Sequence, residues 1–367
     1  MSPEPFIQQT TAWQLYGKLP AQDSNKPSLG ISAAFTAILD DYLFVAGGAN
    51  FPNGHPFFDK GIKAYYDDLW LFDTKASQLE IAYHMQLPYP VAHGALIRNE
   101  KGLLLVGGQN GSGPIKSILQ VTLQDNQPQV SLWSELPFTW HSGAAVWYQG
   151  ALYLLGGERD GVATAAICRF DPNTLACTEL PPIPGPPRQQ FPAQLLGDTV
   201  YVFGGIDAQG TPDNFTRTDV HALNLPNQTW TQMADTHYQQ QAFSVSGGAA
   251  VALDEQKILL LGGVNRAVFN ETLFQFSRLK DEELQQYKTY YFGLNPEQIN
   301  FSRQQLIFDV TTNTWDALPT PVPFTGGAGP LTLANNKQHI YWVGGEIKPG
   351  VRSPFVYRRQ FLFNNRP

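Results

Sequence analysis

The sequence predicts an all-β fold, a six-bladed β-propeller that uses all 367 residues as one domain. Three observations predict it. Six short apolar segments each end in a Gly-Gly pair, these segments recur along the whole chain, and the turn formers Gly and Pro are abundant, at 33 and 28 residues. Hydrophobic residues make up 43% of the chain, which supplies a large core and excludes a disordered protein.

Each Gly-Gly pair marks the end of a strand near the propeller axis. The pairs are at 47–48, 107–108, 156–157, 204–205, 262–263 and 344–345. A segment of small residues precedes each of these strands, and a third strand and a fourth strand, often with Trp, follow it. Four strands per unit, with Gly-Gly ending the second, is the kelch pattern, in which the glycines allow a sharp twist near the axis.

The chain ends predict how the ring closes. About one strand, residues 355–363, follows the last Gly-Gly pair, whereas residues 11–20 form a strand without a unit of their own. Pairing the two would complete the last blade and remove an open sheet edge. The interval 262–308 carries an insertion, and its stretch 277–291 is expected to be helical.

Charge and hydropathy exclude several classes of protein. The net charge is −7 and no basic stripe is present, which argues against nucleic-acid binding. No apolar run reaches the roughly 18 residues of a membrane span, so no membrane partner is expected. The first residues lack the basic and apolar regions of a signal peptide. We therefore expect a cytoplasmic protein if Met1 is the native start, and a periplasmic one if a leader has been removed.

The two cysteines, Cys168 and Cys177, exclude a disulfide framework and a four-cysteine zinc site. They flank a turn at residues 171–174. A two-residue turn would place them directly opposite each other and allow a disulfide, whereas a longer turn would shift their register. Two buried thiols are the favoured interpretation, and a disulfide is the alternative.

Polar residues far apart in the sequence are expected to meet at one axial mouth, because the chain runs down the axis on each first strand and returns on the second. The members of this set follow a Gly-Gly pair or precede a small-residue strand: Asn50, Gln109, Asn110, Glu158, Arg159, Asp207, Asn265, Arg266, Glu346, His93, His141, Arg188, Gln189 and Gln190. The two long insertions lie at the same end and are expected to be ordered lids. No metal site is expected, since His93 and His141 lack further ligands.

One segment of the mouth, GGEIKPGVR at residues 344–352, combines an acid with a base. The turn at Pro349-Gly350 would bring Glu346 and Arg352 back towards each other. A carboxylate beside a guanidinium can move a proton while an anion is held. From spacing alone, an ion pair that only staples the loop is the commoner explanation.

This segment resembles the GEAKPGLR-type motif of the N-acetylneuraminate epimerase (sialic acid mutarotase) family of six-bladed kelch propellers. The stretch PPRQQ at 186–190 resembles the family's PRxQ, and GGVNRAVFN at 262–270 resembles GGVNQNIFN. The loop from 47 to 70 resembles one that ends in GLKKSY. The similarity covers essentially all six blades, in a circularly permuted arrangement.

The resemblance implies an isomerase that interconverts the α and β anomers of sialic acid by acid–base opening and closure of the sugar ring. It implies catalytic roles for Glu346 and Arg352, no cofactor, and a small sugar acid as the partner. Residues expected to bind the sugar are Arg188, Gln190, Asn265, Asn50, Lys63 and Tyr66. Arg266 and Lys348 join them because local positive charge must attract an anion to an acidic chain.

The sequence also allows other functional interpretations. A kelch protein can bind a protein or a sugar without doing chemistry. A mutarotase could act on a different keto-sugar acid. A copper oxidase of the galactose-oxidase type is disfavoured, because both cysteines are expected far from the mouth. Protein partners and the oligomeric state are not indicated.

Overall fold

The structure is a computed structural model that describes residues 7–10, 12–23, 25–207, 209–327, 331–333 and 339–363. Residues 1–6, part of the stretch on which the expectation about a signal peptide rests, lie outside this set, as do residues 328–330 of the last small-residue segment. Most of the described secondary structure is antiparallel β-sheet. No helix in the described ranges is long and apolar enough to cross a membrane.

The strands follow the repeats of the sequence. The N-terminal part and the first repeat contain β1 Ile7–Thr10, β2 Gln14–Lys18, β3 Phe35–Leu39, β4 Tyr42–Ala46, β5 Ala49–Asn50, β6 Ala64–Tyr65, β7 Asp68–Asp73 and β8 Ile81–Gln86. The second repeat contains β9 Ala95–Arg98, β10 Leu103–Val106, β11 Gln109–Asn110, β12 Gly113–Pro114, β13 Ser117–Gln124 and β14 Gln127–Glu135. The third contains β15 Trp140–His141, β16 Ala144–Tyr148, β17 Ala151–Leu155, β18 Glu158–Arg159, β19 Val162–Ala163, β20 Ile167–Asp171 and β21 Ala176–Leu180.

The second half of the chain continues this order and adds the helices. The fourth repeat contains β22 Ala193–Leu196, β23 Thr199–Ile206, β24 Thr216–Asn224 and β25 Thr229–Met233. The fifth contains β26 His237–Tyr238, β27 Gln241–Ala242, β28 Ala249–Ala252, β29 Lys257–Leu261, α1 Arg266–Arg278, α2 Asp281–Gly293, α3 Pro296–Ile299, β30 Gln305–Asp309 and β31 Thr314–Ala317. The last contains β32 Leu331–Leu333, β33 His339–Val343, β34 Glu346–Lys348, β35 Val351–Arg352 and β36 Phe355–Phe363.

In the described ranges, the long strands form six antiparallel sheets in which sequence neighbours pair. The first five sheets have four strands each, in the orders β3-β4-β7-β8, β9-β10-β13-β14, β16-β17-β20-β21, β22-β23-β24-β25 and β28-β29-β30-β31. The sixth consists of β32, β33 and β36 together with the N-terminal strands β1 and β2, both of which pair with β36. This set of sheets is consistent with a propeller.

The second strand of each sheet is apolar because both of its faces pack against neighbouring sheets. Residues Leu103 to Val106 of β10 are all buried. Leu103 and Leu105 pack in a core shared with the first sheet, and Leu104 and Val106 in a core shared with the third. The Gly-Gly pair that follows has no room for a side chain. Gly107 has φ +59° and Gly108 φ +105°, and a Cβ at Gly107 would lie 2.2 Å from the carbonyl oxygen of Trp140. The glycines are therefore required by the close approach of the next sheet.

A chain of backbone hydrogen bonds links five consecutive sheets at the start of their first strands. One residue there adopts a left-handed conformation in each sheet, with φ between +51° and +77°: Ala33, His93, Ser142, Gln190 and Gly247. Each N–H of the last four donates to the carbonyl oxygen of the preceding member, at 2.7 to 3.0 Å. The first strands also contact each other from sheet to sheet, and β32 contacts β3. We call these five residues the mouth belt.

The insertion after the fifth Gly-Gly pair is helical, as predicted, and α2 covers most of the stretch 277–291. The structure has two helices of 13 residues, α1 and α2, with Leu279 and Lys280 between them in extended conformation. The Asn265 side chain caps α1 by accepting from the Val268 N–H, and Asp281, Glu282 and Glu283 favour the start of α2.

The cysteines lie on the hairpin of β20 and β21, but the favoured interpretation of two thiols is wrong. The turn contains four residues, 172–175, so Cys168 faces Glu179 and Cys177 faces Phe170. The Cα atoms of the two cysteines are 5.4 Å apart and their sulfur atoms are bonded. The longer turn places the cysteines diagonally across the hairpin, where a disulfide can still form.

Candidate active site

A cavity of about 480 Å³ opens at the mouth belt. All five residues of the belt line it, and glycines at the start of the first strands, including Gly94, Gly143 and Gly248, form part of its wall. The small residues that precede each Gly-Gly strand in the sequence therefore make room here. A cavity of this size suits a small ligand.

The hairpin of β34 and β35 brings Glu346 and Arg352 together at the cavity, as the turn in the sequence predicts. They face each other across the hairpin, and Arg352 Nη1 donates to Glu346 Oε1 at 2.6 Å. The Gly350 N–H donates to the same oxygen at 3.0 Å. Gly350 itself has φ +82°, a conformation that glycine adopts without strain.

The two partners of this pair differ in their exposure. The Arg352 side chain is 6% exposed and its guanidinium carbon lies 5.3 Å from the ring centroid of Phe51. The Glu346 side chain is 26% exposed. Its Oε1 takes both hydrogen bonds of the hairpin, so Oε2 is the oxygen that can meet a ligand. Buried Arg352 Nε has no hydrogen-bond partner in the described part of the chain.

Lys63 and His93 form a second pair at the same cavity. Lys63 Nζ lies 3.1 Å from His93 Nε2. Burial, followed by the nearby charges of Lys63, His141 and Arg352, lowers the pKa of His93 to about 3. Burial and Arg352 lower the pKa of Lys63, while Glu346 raises it. His93 is therefore neutral at pH 7, and its Nε2 accepts the hydrogen bond from Lys63.

Of the other residues expected to bind the sugar, Gln190 lines the cavity. It belongs to the mouth belt with φ +51°, and its side chain is exposed. Asn50 and Tyr66 do not line this cavity. Tyr66 Oη donates to Asn50 Oδ1, and Asn50 Nδ2 donates to the Gly30 carbonyl, each at 2.7 Å. Because Asn50 is 2% exposed, this network holds the loops behind the cavity wall.

Arg188, also expected to bind the sugar, does not line the cavity, and its side chain is fully buried. Its two Nη atoms donate to the two carboxylate oxygens of Asp219, at 3.0 and 2.9 Å, and also to the carbonyls of Gly204 and Pro184. Burial alone would raise the pKa of Asp219, but hydrogen bonds from His221 and Arg188 hold that pKa well below its usual value. Arg188 thus stabilises the packing beneath the mouth belt.

Asn265, Arg266 and Lys348 also lie away from the cavity. Asn265 caps α1, Arg266 donates to the Asp213 carbonyl, and both line a separate pocket of about 420 Å³. Lys348 Nζ donates to the carbonyls of Phe292 and Leu294 at the end of α2, at 2.9 and 2.6 Å. The positive charge at the cavity therefore comes from Lys63 and Arg352.

The two insertions meet over the Glu346–Arg352 hairpin. His55 Nε2 lies 3.0 Å from the Pro349 carbonyl oxygen, and the His55 ring lies 5.4 Å from that of Phe292 in α2. Phe57 also packs on Phe292, at 5.1 Å between ring centroids. These contacts brace the hairpin from both insertions, in agreement with the expectation of ordered lids.

The sequence places His93 at the mouth without a role and does not single out Ser142 or Phe51, yet all three line the cavity. His93 precedes its strand in a left-handed conformation. A local signal was available, because His93, Ser142 and Gly247 each directly precede a glycine at the start of a first strand. The described residues contain no group of three or more His, Cys, Asp or Glu side chains that could hold a metal ion.

Comparison with known proteins gives a consistent set of matches. The family model for N-acetylneuraminate epimerase matches residues 170–365, which include Glu346 and Arg352. An N-acetylneuraminate epimerase of Yersinia enterocolitica is 31% identical over 179 residues, 48% of this chain and 44% of the relative. An N-acetylneuraminate epimerase 2 of Escherichia coli is 27% identical over 255 residues, 67% of this chain and 65% of the relative. The chain thus spans about half to two thirds of the length of these curated relatives.

Proposed function

The chain belongs to the N-acetylneuraminate epimerase family, and on that premise we propose that it interconverts the α and β anomers of N-acetylneuraminate. The observation that carries the proposal is the Glu346–Arg352 pair at the cavity. It combines a partly exposed carboxylate, which can accept and return a proton, with a guanidinium that can bind a sugar carboxylate.

We also propose the architecture that this function needs, a single six-bladed kelch propeller closed by the N-terminal strand, with a circularly shifted start. The mouth belt supports it, since hydrogen bonds run in order through five sheets. The pairing of β2 with β36 supports the closure, with Gln14 opposite Arg358. In this architecture the cavity lies on the propeller axis.

The cavity charges favour an anionic sugar although the whole chain is acidic. Arg352 lines the cavity, and a guanidinium has further N–H donors beyond the one bonded to Glu346, which can bind the sugar carboxylate. Lys63 adds a second positive charge. Phe51 and Phe191 provide apolar surface, and Gln190 and Ser142 provide hydrogen-bonding groups for hydroxyls.

The reaction needs a base at the anomeric hydroxyl. Sialic acid is a 2-keto acid closed into a pyranose, so its anomers exchange through the open ketone. Glu346 Oε2 takes the proton of the anomeric hydroxyl while the bond from C2 to the ring oxygen breaks, and a separate acid at the cavity gives a proton to the ring oxygen and takes it back on closure. Rotation of the planar ketone and reclosure on its other face give the other anomer, and Glu346 returns the proton.

The test is proton NMR on freshly released α-anomer, with and without the protein. We expect anomer exchange to accelerate in proportion to the concentration of protein. The variant Glu179→Gln, whose side chain does not line the cavity, should act like the parent chain. A panel of other keto-sugar acids measured in the same way identifies the substrate. Sugar binding without any acceleration would favour the alternative of a non-catalytic sugar-binding module.

A further inference from the structure

We propose that Lys63 is the second proton-transfer group of this reaction, the acid that protonates the ring oxygen, and that His93 is a positioning residue that holds Lys63 for this task. The inference rests on the proposed function and deepens it. It comes from the pair of nitrogen atoms, Lys63 Nζ and His93 Nε2, that lie 3.1 Å apart at the cavity of Glu346 and Arg352.

The location of the pair follows from two separate elements. Lys63 ends the loop that begins at the first Gly-Gly pair, directly before β6, which is anchored by pairing with β5. His93 is a member of the mouth belt, and its backbone N–H and carbonyl are both fixed by neighbouring sheets. A rigid part of the fold therefore presents the imidazole to a lysine on a long loop.

The partner of Lys63 is unusual for a lysine at a cavity. In the described part of the chain, no carboxylate lies within ion-pair distance of its Nζ, which lies near a neutral imidazole and 5.6 Å from the Tyr65 ring centroid. The charged and titratable groups around the pair are Glu346, Arg352, Tyr65 and, beside His93, His141. Burial and Arg352 lower the pKa of Lys63, so its ammonium gives up a proton more readily than a surface lysine does.

The other titratable groups that line the cavity are poor candidates for the acid. A guanidinium keeps its proton in proteins, so Arg352 can bind charge but cannot donate a proton in catalysis. His93 is neutral at pH 7, since burial and neighbouring cations lower its pKa to about 3. Glu346 is needed as the base. Lys63 remains as the cavity group that carries a proton and can release it.

The step balances without a co-reactant. Glu346 Oε2 takes the proton from the anomeric hydroxyl, the C2=O bond forms, the bond between C2 and the ring oxygen breaks, and Lys63 Nζ gives a proton to that oxygen. Glu346 is then protonated and Lys63 is a neutral amine. Closure on the other face of the ketone reverses both transfers and restores both groups.

The test compares Lys63→Arg with Lys63→Met. Arginine keeps the positive charge but does not release its proton. The comparison therefore distinguishes a role as proton donor from a role as positive charge alone. We expect Lys63→Arg to bind sialic acid within about threefold of the parent chain and to exchange anomers about 100-fold more slowly. Lys63→Met is expected to lose the rate to the same extent and to bind about tenfold more weakly. Thermal melting confirms that each variant is folded.

The role of His93 is tested with His93→Asn, because asparagine tolerates the left-handed backbone of this position. Its shorter side chain cannot reach Lys63 Nζ. We expect the alkaline limb of the pH–rate profile to move to lower pH, since the acceptor that favours the ammonium form of Lys63 is lost. A purely structural role would lower the rate at every pH and leave the profile in place, which would overturn this part of the proposal.

Two further outcomes test the proton-transfer role of Lys63 and the proposed function separately. A Lys63→Arg variant that exchanges anomers within threefold of the parent rate would show that Lys63 acts only as a charge, and the proton-transfer role would be wrong while the proposed function stands. A parent chain that binds sialic acid but does not accelerate exchange overturns the proposed function itself, and the role of Lys63 falls with it.

Discussion

At the residue scale, the proposed function depends on how one short hairpin holds Glu346. The Gly350 N–H and Arg352 both donate to Oε1, which fixes the carboxylate through one oxygen and leaves Oε2 outside these two hydrogen bonds. An ion pair that only stabilises the hairpin would have the same geometry. The position of the Glu346–Arg352 pair at a 480 Å³ cavity, together with Lys63 and His93, is what favours the proposed catalytic role.

Replacing Glu346 with glutamine should remove the catalytic base while the folded structure is kept. The amide oxygen can still accept from Gly350 and Arg352, so the fold should be kept. The melting temperature should fall, because the nearly buried Arg352 loses its counter-charge. The amide cannot take a proton, so anomer exchange should fall by about 10²- to 10⁴-fold. The measurement is the exchange rate by NMR, with Glu179→Gln as the matched substitution outside the cavity. Full activity in Glu346→Gln would refute the assignment.

Arg352 should be needed for its shape as well as its charge. Lysine keeps the charge but lacks the planar fork that binds a carboxylate through two N–H groups. We expect Arg352→Lys to weaken sialic acid binding by about 10- to 100-fold, because hydrogen bonds to charged groups contribute about 1.5–3 kcal/mol. Isothermal titration calorimetry measures this. Unchanged affinity would mean that the carboxylate binds elsewhere.

At the element scale, ion pairs and hydrogen bonds beneath the mouth belt keep the sheets in register. Asp219 of β24 accepts from Arg188, Arg217 and His221, and Arg188 also reaches two backbone carbonyls. Arg188 and Gln190 are only two residues apart, yet one is buried and the other lies at the cavity. The left-handed conformation of Gln190 breaks the alternation of faces that a regular strand would have.

The carboxylate of Asp219 should govern stability in acid. Its pKa is lowered in the folded protein, so its contribution is present above its ordinary pKa of 3.8 and is lost as the pH falls below that value. Asp219→Asn leaves the buried Arg188 unpaired and should lower the free energy of unfolding by about 3 kcal/mol at pH 7.

The dependence on pH provides the check. Urea unfolding between pH 5 and pH 2 should show a smaller loss of stability in Asp219→Asn than in the parent chain, because the variant lacks the carboxylate that takes up a proton on unfolding in this range. Equal slopes for the two proteins would contradict the assignment of acid sensitivity to Asp219.

The elements also show what the sequence could predict. The Gly-Gly pairs mark a local backbone requirement, visible at Gly107 in the absence of space for a Cβ, so the repeat could be read directly. The turn at Pro349-Gly350 is equally local, and it predicted the contact of Glu346 with Arg352. Lys348 lies in the same motif but contacts carbonyls at the end of α2, a helix about 55 residues earlier in the chain. No local sequence pattern predicts that contact, and none predicts the contact of Lys63 with His93, because the partners are distant in the sequence.

At the scale of the whole molecule, the N-terminal strand β2 connects the last sheet with the first. Tyr16 of β2 is 3% exposed and packs against Tyr341 of the sixth sheet. Its hydroxyl donates to the carbonyls of Asp73 and Ala76, which belong to the first sheet and the turn after it. The strand is therefore part of a core shared by two sheets rather than an appendage.

Tyr16 should therefore contribute strongly to global stability, in contrast to its neighbour Leu15, which is 59% exposed. We expect Tyr16→Ala to lower the free energy of unfolding by about 3 kcal/mol, because a large buried side chain is lost. Leu15→Ala should change it by less than about 0.5 kcal/mol. Chemical denaturation measures both. Equal, small effects would show that the N-terminal strand does not close the fold.

The most direct test of the central claim is a crystal structure of the protein soaked with sialic acid. The account predicts a single monosaccharide in the cavity at the mouth belt, its carboxylate on the guanidinium of Arg352 and its anomeric hydroxyl within hydrogen-bond distance of the free oxygen of Glu346. Sugar density at another site, with this cavity empty and the Glu346–Arg352 pair unchanged, would contradict it.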